Sequence, residues 1–353
     1  MKYLIGTSIF VITSILFILF FPFDILNGKE LTYDDEQEGL SDQIVIRFSH
    51  VVAENTPKGL AAQKFAQLVE EKTNGLVKVE VIPNGRLYTD EEELDALKKN
   101  EVQMIAPSLS KMTKLNPEWG FFDLPFLFQN NEDIETVLSS DIGERFLALH
   151  KDEGIKGLAL WSNGFKQMTS NVKELHHPKD FSGQRFRIMP SSIIEEQFKT
   201  LGAYPVEAPF DQLYSSMQDD QFDGQENTIS NIYSRRIYEF HHYMTISNHG
   251  FLGYAVLINQ KFWNSLPDEV KPSIKAAMDE TTSWMLAESQ KMNDDQLKLI
   301  EKESSIKIYF LSNEESMEWF NALKPVYSKF LQQVHSDEIK EFVNKRLELK
   351  ETQ

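Results

Sequence analysis

Cysteine is absent from the 353-residue chain. That excludes structural disulfides, thiolate metal sites, iron–sulfur clusters and thiol catalysis together, and with them a lipid anchor attached at a cleavage-point cysteine. Positive charge is scarce: 36 Lys and Arg stand against 54 Asp and Glu, a formal net charge of −18, and no basic run occurs. A nucleic-acid binder needs a basic face for phosphates, so that class falls away. Phosphate-loop, dinucleotide-binding, nucleophile-elbow and zinc-helix patterns are also missing. His176-His177 and His241-His242 are adjacent pairs that point to different sides and make poor metal pairs. No catalytic residue, metal ligand or cofactor is assigned.

What is present begins with an apolar run, Tyr3 to Phe23, long enough to span about 30 Å of hydrocarbon as a helix. Its end, Phe20-Phe21-Pro22-Phe23, has no small-residue cleavage site, so residues 1–23 read as an uncleaved anchor rather than a signal peptide. Cleavage would instead leave a secreted or periplasmic protein. Lys2 before the run and Asp34, Asp35, Glu36 and Glu38 after it place the rest of the chain outside the cell. Residues 24–42 read as a polar linker. The remainder is long enough for two domains, with an ordinary 41% hydrophobic and 25% charged composition overall.

The periodicity of the body alternates between strand and helix. Ile44, Ile46 and Phe48 alternate as a strand, Thr56-Pro57 opens a helix closed by Gly75, and Val77, Val79 and Val81 form the next strand. Such a βαβ unit is parallel with a right-handed crossover. Thr89-x-x-Glu92 reads as a capping box, with Glu91-Glu92-Glu93 complementing a helix N-terminus. Further strands are expected at 102–106, 157–161, 185–189, 203–206 and 251–258, with Ser192-x-x-Glu195 capping one helix, another near 211–220, and a turn at Asp223-Gly224. From Pro267 to about Glu303 the helical spacing holds, a length of roughly 50 Å that would lie across two domains.

Three cations stand out by position. Ligands in open α/β sheets bind beyond the carboxyl ends of strands. Lys166 follows the strand at 157–161, and Arg187 lies inside the apolar Phe186-Arg187-Ile188-Met189. A buried guanidinium needs a partner, either an internal carboxylate or an anionic ligand held bidentately. Lys58, in the first turn of a helix, is either a solvated surface lysine or a charge beside free backbone N–H groups.

Gly183-x-x-x-Arg187, Pro209-Phe210-x-x-x-Tyr214, Asp223-Gly224-Gln225-Glu226-Asn227 and Leu266-Pro267, in that order and spacing, resemble the substrate-binding proteins of TRAP transporters over about residues 43–340. The resemblance implies an α/β, two-domain periplasmic-binding-protein-like fold with a hinge cleft and one long helix spanning both domains. With it we expect domain I at 43–163 plus 253–292 and domain II at 164–252 plus 293–345. It implies that Arg187 grips a ligand carboxylate, that Asn227 hydrogen-bonds it and that Phe210 packs on it. Lys166 sits where many members carry a second arginine. The segments Gly164-Phe165-Lys166-Gln167-Met168, Thr56-Pro57-Lys58-Gly59, Ala106-Pro107-Ser108-Leu109-Ser110 and His249-Gly250-x-x-Gly253-Tyr254 are similar to the C4-dicarboxylate branch. They imply succinate, fumarate or malate as ligand, with Lys58, Ser108 and His249 as further contacts. The implied role is a receptor, expected to be monomeric and tethered, rather than an enzyme. Its expected partner is a TRAP-type permease, or alternatively a sensor histidine kinase that reads ligand occupancy. A hydrolase or lyase for acidic substrates is the rival from another class, and it lacks a nucleophile–base constellation.

Overall fold

The computed structural model describes residues 43–351, so the apolar segment 1–23 and nearly all of the linker lie outside the described residues. Among the described residues no helix is long and apolar enough to cross a membrane. The chain opens with β1 (Ile44–Ser49), α1 (Pro57–Lys72) and β2 (Val77–Ile82), and β1 pairs with β2 in parallel, Ile44 opposite Val77. Thr56 caps α1, its Oγ1 accepting from Gly59 N at 3.1 Å, and Pro57 occupies a first-turn position that needs no donor. α2 (Glu93–Lys98), β3 (Met104–Ile105) and α3 (Leu109–Met112) follow. β3 is two residues, shorter than the expected 102–106, and Pro107 beyond it has no N–H to extend the ladder.

The remaining elements, in chain order, are α4 (Asn131–Leu138), α5 (Asp141–Ala148), β4 (Ile155–Ser170), β5 (Arg185–Ile188), α6 (Ser192–Thr200), β6 (Tyr204–Glu207), α7 (Leu213–Gln218), β7 (Gly224–Asn227) and α8 (Ile229–Ser234). After them come β8 (Tyr243–Asn259), α9 (Gln260–Ser265), α10 (Lys271–Glu303), β9 (Lys307–Phe310), α11 (Asn313–Gln333) and α12 (Asp337–Glu351). Two local expectations are corrected. The cap of α6 is Ser191, whose Oγ accepts from Ile193 N and Ile194 N, one residue earlier than the sequence spacing suggested. Where a turn was expected at Asp223-Gly224, a strand already begins: Gly224–Asn227 is held between β4 and β5.

The nine strands among the described residues belong to one sheet, ordered β2-β1-β3-β8-β4-β7-β5-β6, with β9 also on β8. β4 and β8 are 16 and 17 residues long and run antiparallel from Ile155 opposite Asn259 to Ser170 opposite Tyr243. At roughly 3.3 Å per residue this ribbon is about 50 Å long. One end carries β3, and through it β1 and β2; the other carries β7, β5, β6 and β9. Two α/β lobes therefore share a pair of crossing strands. Sequence periodicity detected only the apolar halves, because beyond Trp161 the ribbon turns polar while staying buried through Asn163, Lys166, Gln167 and Thr169.

The ribbon bends at Gly164, which has φ +91° and lies between two register shifts. A Cβ there would stand 3.1 Å from Asn293 Nδ2 of α10. Asn293 fastens the crossing: its Nδ2 donates to Asn163 O at 2.9 Å and its Oδ1 accepts from Ser230 N at 2.8 Å. α10 itself spans 33 residues, about 50 Å, and packs on α1, β4 and α8. One apolar cluster (Phe48, Phe65, Trp161, Ile274) fills the first lobe and a smaller one (Leu213, Phe222, Ile232, Ile300) lies in the second. A third, rich in aromatics (Trp119, Phe122, Phe186, Trp319), runs along both.

Candidate functional site

Between the lobes lies a small cavity with about 380 Å³ of empty space, its mouth included. Its walls come from Val51, Lys58, Asp90, Ser108 and Tyr254 on one side and Arg187, Met189, Phe210, Asn227 and Asn231 on the other. Five of the seven sequence-derived candidates thus meet around one space: Arg187, Asn227, Phe210, Lys58 and Ser108. Asp90, Asn231 and Tyr254 were not singled out as ligand contacts. Asn231 follows Asn227 by four residues, a spacing that could have suggested it.

Arg187 is 1% exposed and its Nε donates to Ala208 O at 2.9 Å. Among the described residues no carboxylate oxygen lies within 4.0 Å of its guanidinium, so the internal salt bridge that the sequence left open is not made. Burial pulls its pKa below the ordinary value. Such a fork, facing a cavity and with no direct ion pair, suits a planar carboxylate.

Lys58 is buried, not a solvated surface lysine. Gly59 makes this possible: a Cβ there would lie 2.4 Å from Ala53 O, so only glycine lets the first turn of α1 press against the preceding loop. Lys58 Nζ donates to Ala106 O at 2.8 Å and lies 4.0 Å above the Tyr254 ring. Burial lowers its pKa to about 8 despite nearby Glu93 and Asp90. Glu93 is likewise buried rather than facing water, and burial raises its carboxyl to about 7. Lys111 Nζ bridges Asp90 Oδ1 at 3.2 Å and Glu93 Oε1 at 3.4 Å, which offsets the negative charge of Asp90 in the wall and of Glu93 near it. Asn227 Oδ1 accepts from Asn231 Nδ2 at 2.8 Å and from Thr228 N at 3.1 Å, fixing the amide at the end of β7. The lobes also touch away from these cavity walls: Thr113 Oγ1 donates to Pro190 O at 2.8 Å, and Lys114 pairs with Glu207 at 3.4 Å.

Residues 48–333 match the model of the DctP family, bacterial extracellular solute-binding protein family 7. The chain belongs to this family. It is 48% identical over 331 residues to the C4-dicarboxylate-binding protein DctB of Bacillus subtilis, covering 94% of this chain and 95% of that one. A TRAP periplasmic solute-binding protein of Sulfurospirillum deleyianum with bound succinate superposes with a TM-score of 0.82 at 39% identity, covering 85% of this chain and 98% of its own. One from Pseudomonas aeruginosa with bound L-malate gives 0.79 at 38%, covering 81% and 99%. The DctP family is a solute-binding family and not an enzyme family, and its two-domain fold is the one described above.

Two candidates of this DctP-family chain are placed elsewhere. Lys166 and His249 do not line the cavity; both face Glu226 of β7. Lys166 Nζ bonds Glu226 Oε1, and His249 Nε2 bonds Glu226 Oε2 at 2.8 Å, all three side chains fully buried. Burial alone would raise the Glu226 carboxyl, but Lys166 and His249 outweigh it and hold it at about 2. Burial lowers the His249 pKa against the pull of Glu226. The stem of Lys166 runs over Gly250, where a Cβ would meet its Cε at 2.6 Å. The positive charge of Lys166 is thus already matched by an internal carboxylate 60 residues away in sequence, a partner that no local pattern discloses.

Proposed function

We propose that this chain is an extracytoplasmic receptor that captures C4-dicarboxylates such as succinate, fumarate or malate by closing its cleft. In this reading it hands them to a TRAP-type membrane permease, as a monomer tethered through residues 3–23. The carrying observation is the buried Arg187, which faces a small cavity and has, among the described residues, no carboxylate oxygen within 4.0 Å. Lys58 on the opposite wall supplies the second positive charge that a short dianion requires, in place of Lys166. The relatives named above, which bind C4-dicarboxylates or hold succinate or malate, support the same ligand class. Lobe motion is assigned to the ribbon and α10 near Gly164 and Asn293, between a first domain at 43–163 plus 253–292 and a second at 164–252 plus 293–345. Closure matters because a partner reads the difference between the free and the occupied form.

The test is thermal unfolding of the full-length protein in mild detergent with succinate, fumarate, malate, a sialic acid and an amino acid. A rise confined to the C4 acids is expected. No rise with any C4 acid would refute the ligand assignment.

A further inference from the structure

We propose that Arg235 is a latch that holds the cleft closed over its ligand, a positioning residue rather than a ligand contact. The proposal rests on the receptor reading above and concerns how long the ligand stays. Arg235 follows α8, the helix that carries Asn231 in the second lobe. Its Nη2 crosses to the first lobe and donates to Val51 O at 3.0 Å, in the loop between β1 and α1. Its guanidinium lies 4.8 Å over the Phe210 ring, so one side chain braces a cavity wall in its own lobe and ties down a cavity wall in the other. Among the described residues no carboxylate oxygen lies within 4.0 Å of it, and its Nε is buried without a partner.

A flexible surface arginine would sit in water with its donors free. This one is half-buried, held by a carbonyl and a ring that come together only when the two lobes do. Opening the cleft moves Val51 away with β1 and α1, because the lobes are joined in the sheet through the β4–β8 ribbon. The bond to Val51 is therefore made on closure and broken before release. Interactions of this kind act on the dissociation rate far more than on encounter. A charged donor to a carbonyl is worth on the order of tenfold or more in an equilibrium.

The absence of native cysteine allows two labels to be placed without background, at Lys78→Cys on β2 and Tyr204→Cys on β6, both exposed and in different lobes. Lobe separation and succinate release are then measured for full-length wild type, Arg235→Ala and Arg235→Lys in detergent. The expected result is release about tenfold faster in Arg235→Ala with association unchanged, and a smaller closed fraction at each succinate concentration. Arg235→Lys, which keeps a donor but not the planar fork, should lie between. The ligand-free melting temperature should not move, since the latch is absent from the open form. Equal release rates and equal lobe distances in wild type and Arg235→Ala would overturn the proposal. So would a loss seen for dicarboxylates and not for monocarboxylates, which would make Arg235 a ligand cation. A wild type that closes on none of the C4 acids would refute the receptor's ligand assignment and the latch together, whereas a wild type and an Arg235→Ala variant that close alike on succinate would refute the latch alone.

Discussion

Replacing Arg187 by Met separates two roles that a buried arginine can have. If the guanidinium were half of an internal ion pair, its loss would strand a carboxylate and cost about 3–5 kcal/mol. Here no carboxylate lies within 4.0 Å among the described residues, and the fold loses only the bond to Ala208 O. Removing an unmatched buried charge in favour of an apolar chain gains about 1–4 kcal/mol, while the orphaned Ala208 carbonyl costs about 1–3. The net runs from a loss of about 2 to a gain of about 3 kcal/mol, so the ligand-free protein should stay close to wild-type stability. For a body of about 300 residues the unfolding entropy is roughly 0.6 kcal/mol per degree, so the melting point should fall by no more than about 3 °C and rise by no more than about 5 °C. Succinate at ~100 times its wild-type Kd adds about 2.7 kcal/mol, a rise of about 4 °C in wild type. Loss of a desolvated charge contact weakens binding by about 2–5 kcal/mol, which leaves about 1 °C or less of that rise in Arg187→Met. The assay is a pair of melts, with and without succinate, for each protein. A ligand-free variant lower by 5–8 °C, or one that keeps the full succinate shift, would refute the reasoning.

Two further predictions use the same protein. Lys166→Met should destabilise the fold by about 3–5 kcal/mol because it leaves Glu226 buried without its lysine, and Lys166→Met with Glu226→Gln should recover most of that in urea unfolding; a harmless single variant would remove the structural role. Since Glu226 is held at about 2 when folded, its contribution is present above the unfolded carboxyl value and should fade as pH drops from about 4 toward 2. Lys58, lowered to about 8 by burial, must be protonated to meet a dianion, so succinate binding should weaken as pH rises above 8. Binding near pH 8 should take up a proton, seen by calorimetry in buffers of different ionisation enthalpy; a proton count of zero at pH 8 and above would exclude Lys58 as the second cation.

Much of the fold was legible where burial and chain period coincide. The βαβ start, the long helix and the apolar halves of the crossing strands all carry regular spacing. β7 did not, because Gly224-Gln225-Glu226-Asn227 has no apolar alternation; its side chains are polar and are satisfied only by partners on other strands, such as Thr169 and His249. The cavity was partly legible. Arg187 stood out by its apolar setting and Lys58 by its place in a first turn, while Phe210, Asn227 and Ser108 came through motif resemblance. Which cation is free and which is matched was not legible, since that depends on whether Glu226 reaches Lys166, a fact of folding and not of spacing. Glu93 misled for a similar reason: on a helix N-terminus an acid normally faces water, and only the arrival of Lys111 from α3 permits its burial.

The close passage of Lys166 over Gly250 restricts how this lineage can drift. A side chain at 250 would have to push aside a lysine stem that its pairing with Glu226 holds in place, and losing the lysine would leave Glu226 buried and charged without its partner. Substitutions at 166, 226 and 250 must then arrive together or through an intermediate of low stability. Across related genes the three positions should change as a block, and a hybrid that takes one of them from a relative with a different block should fold poorly before any ligand is considered.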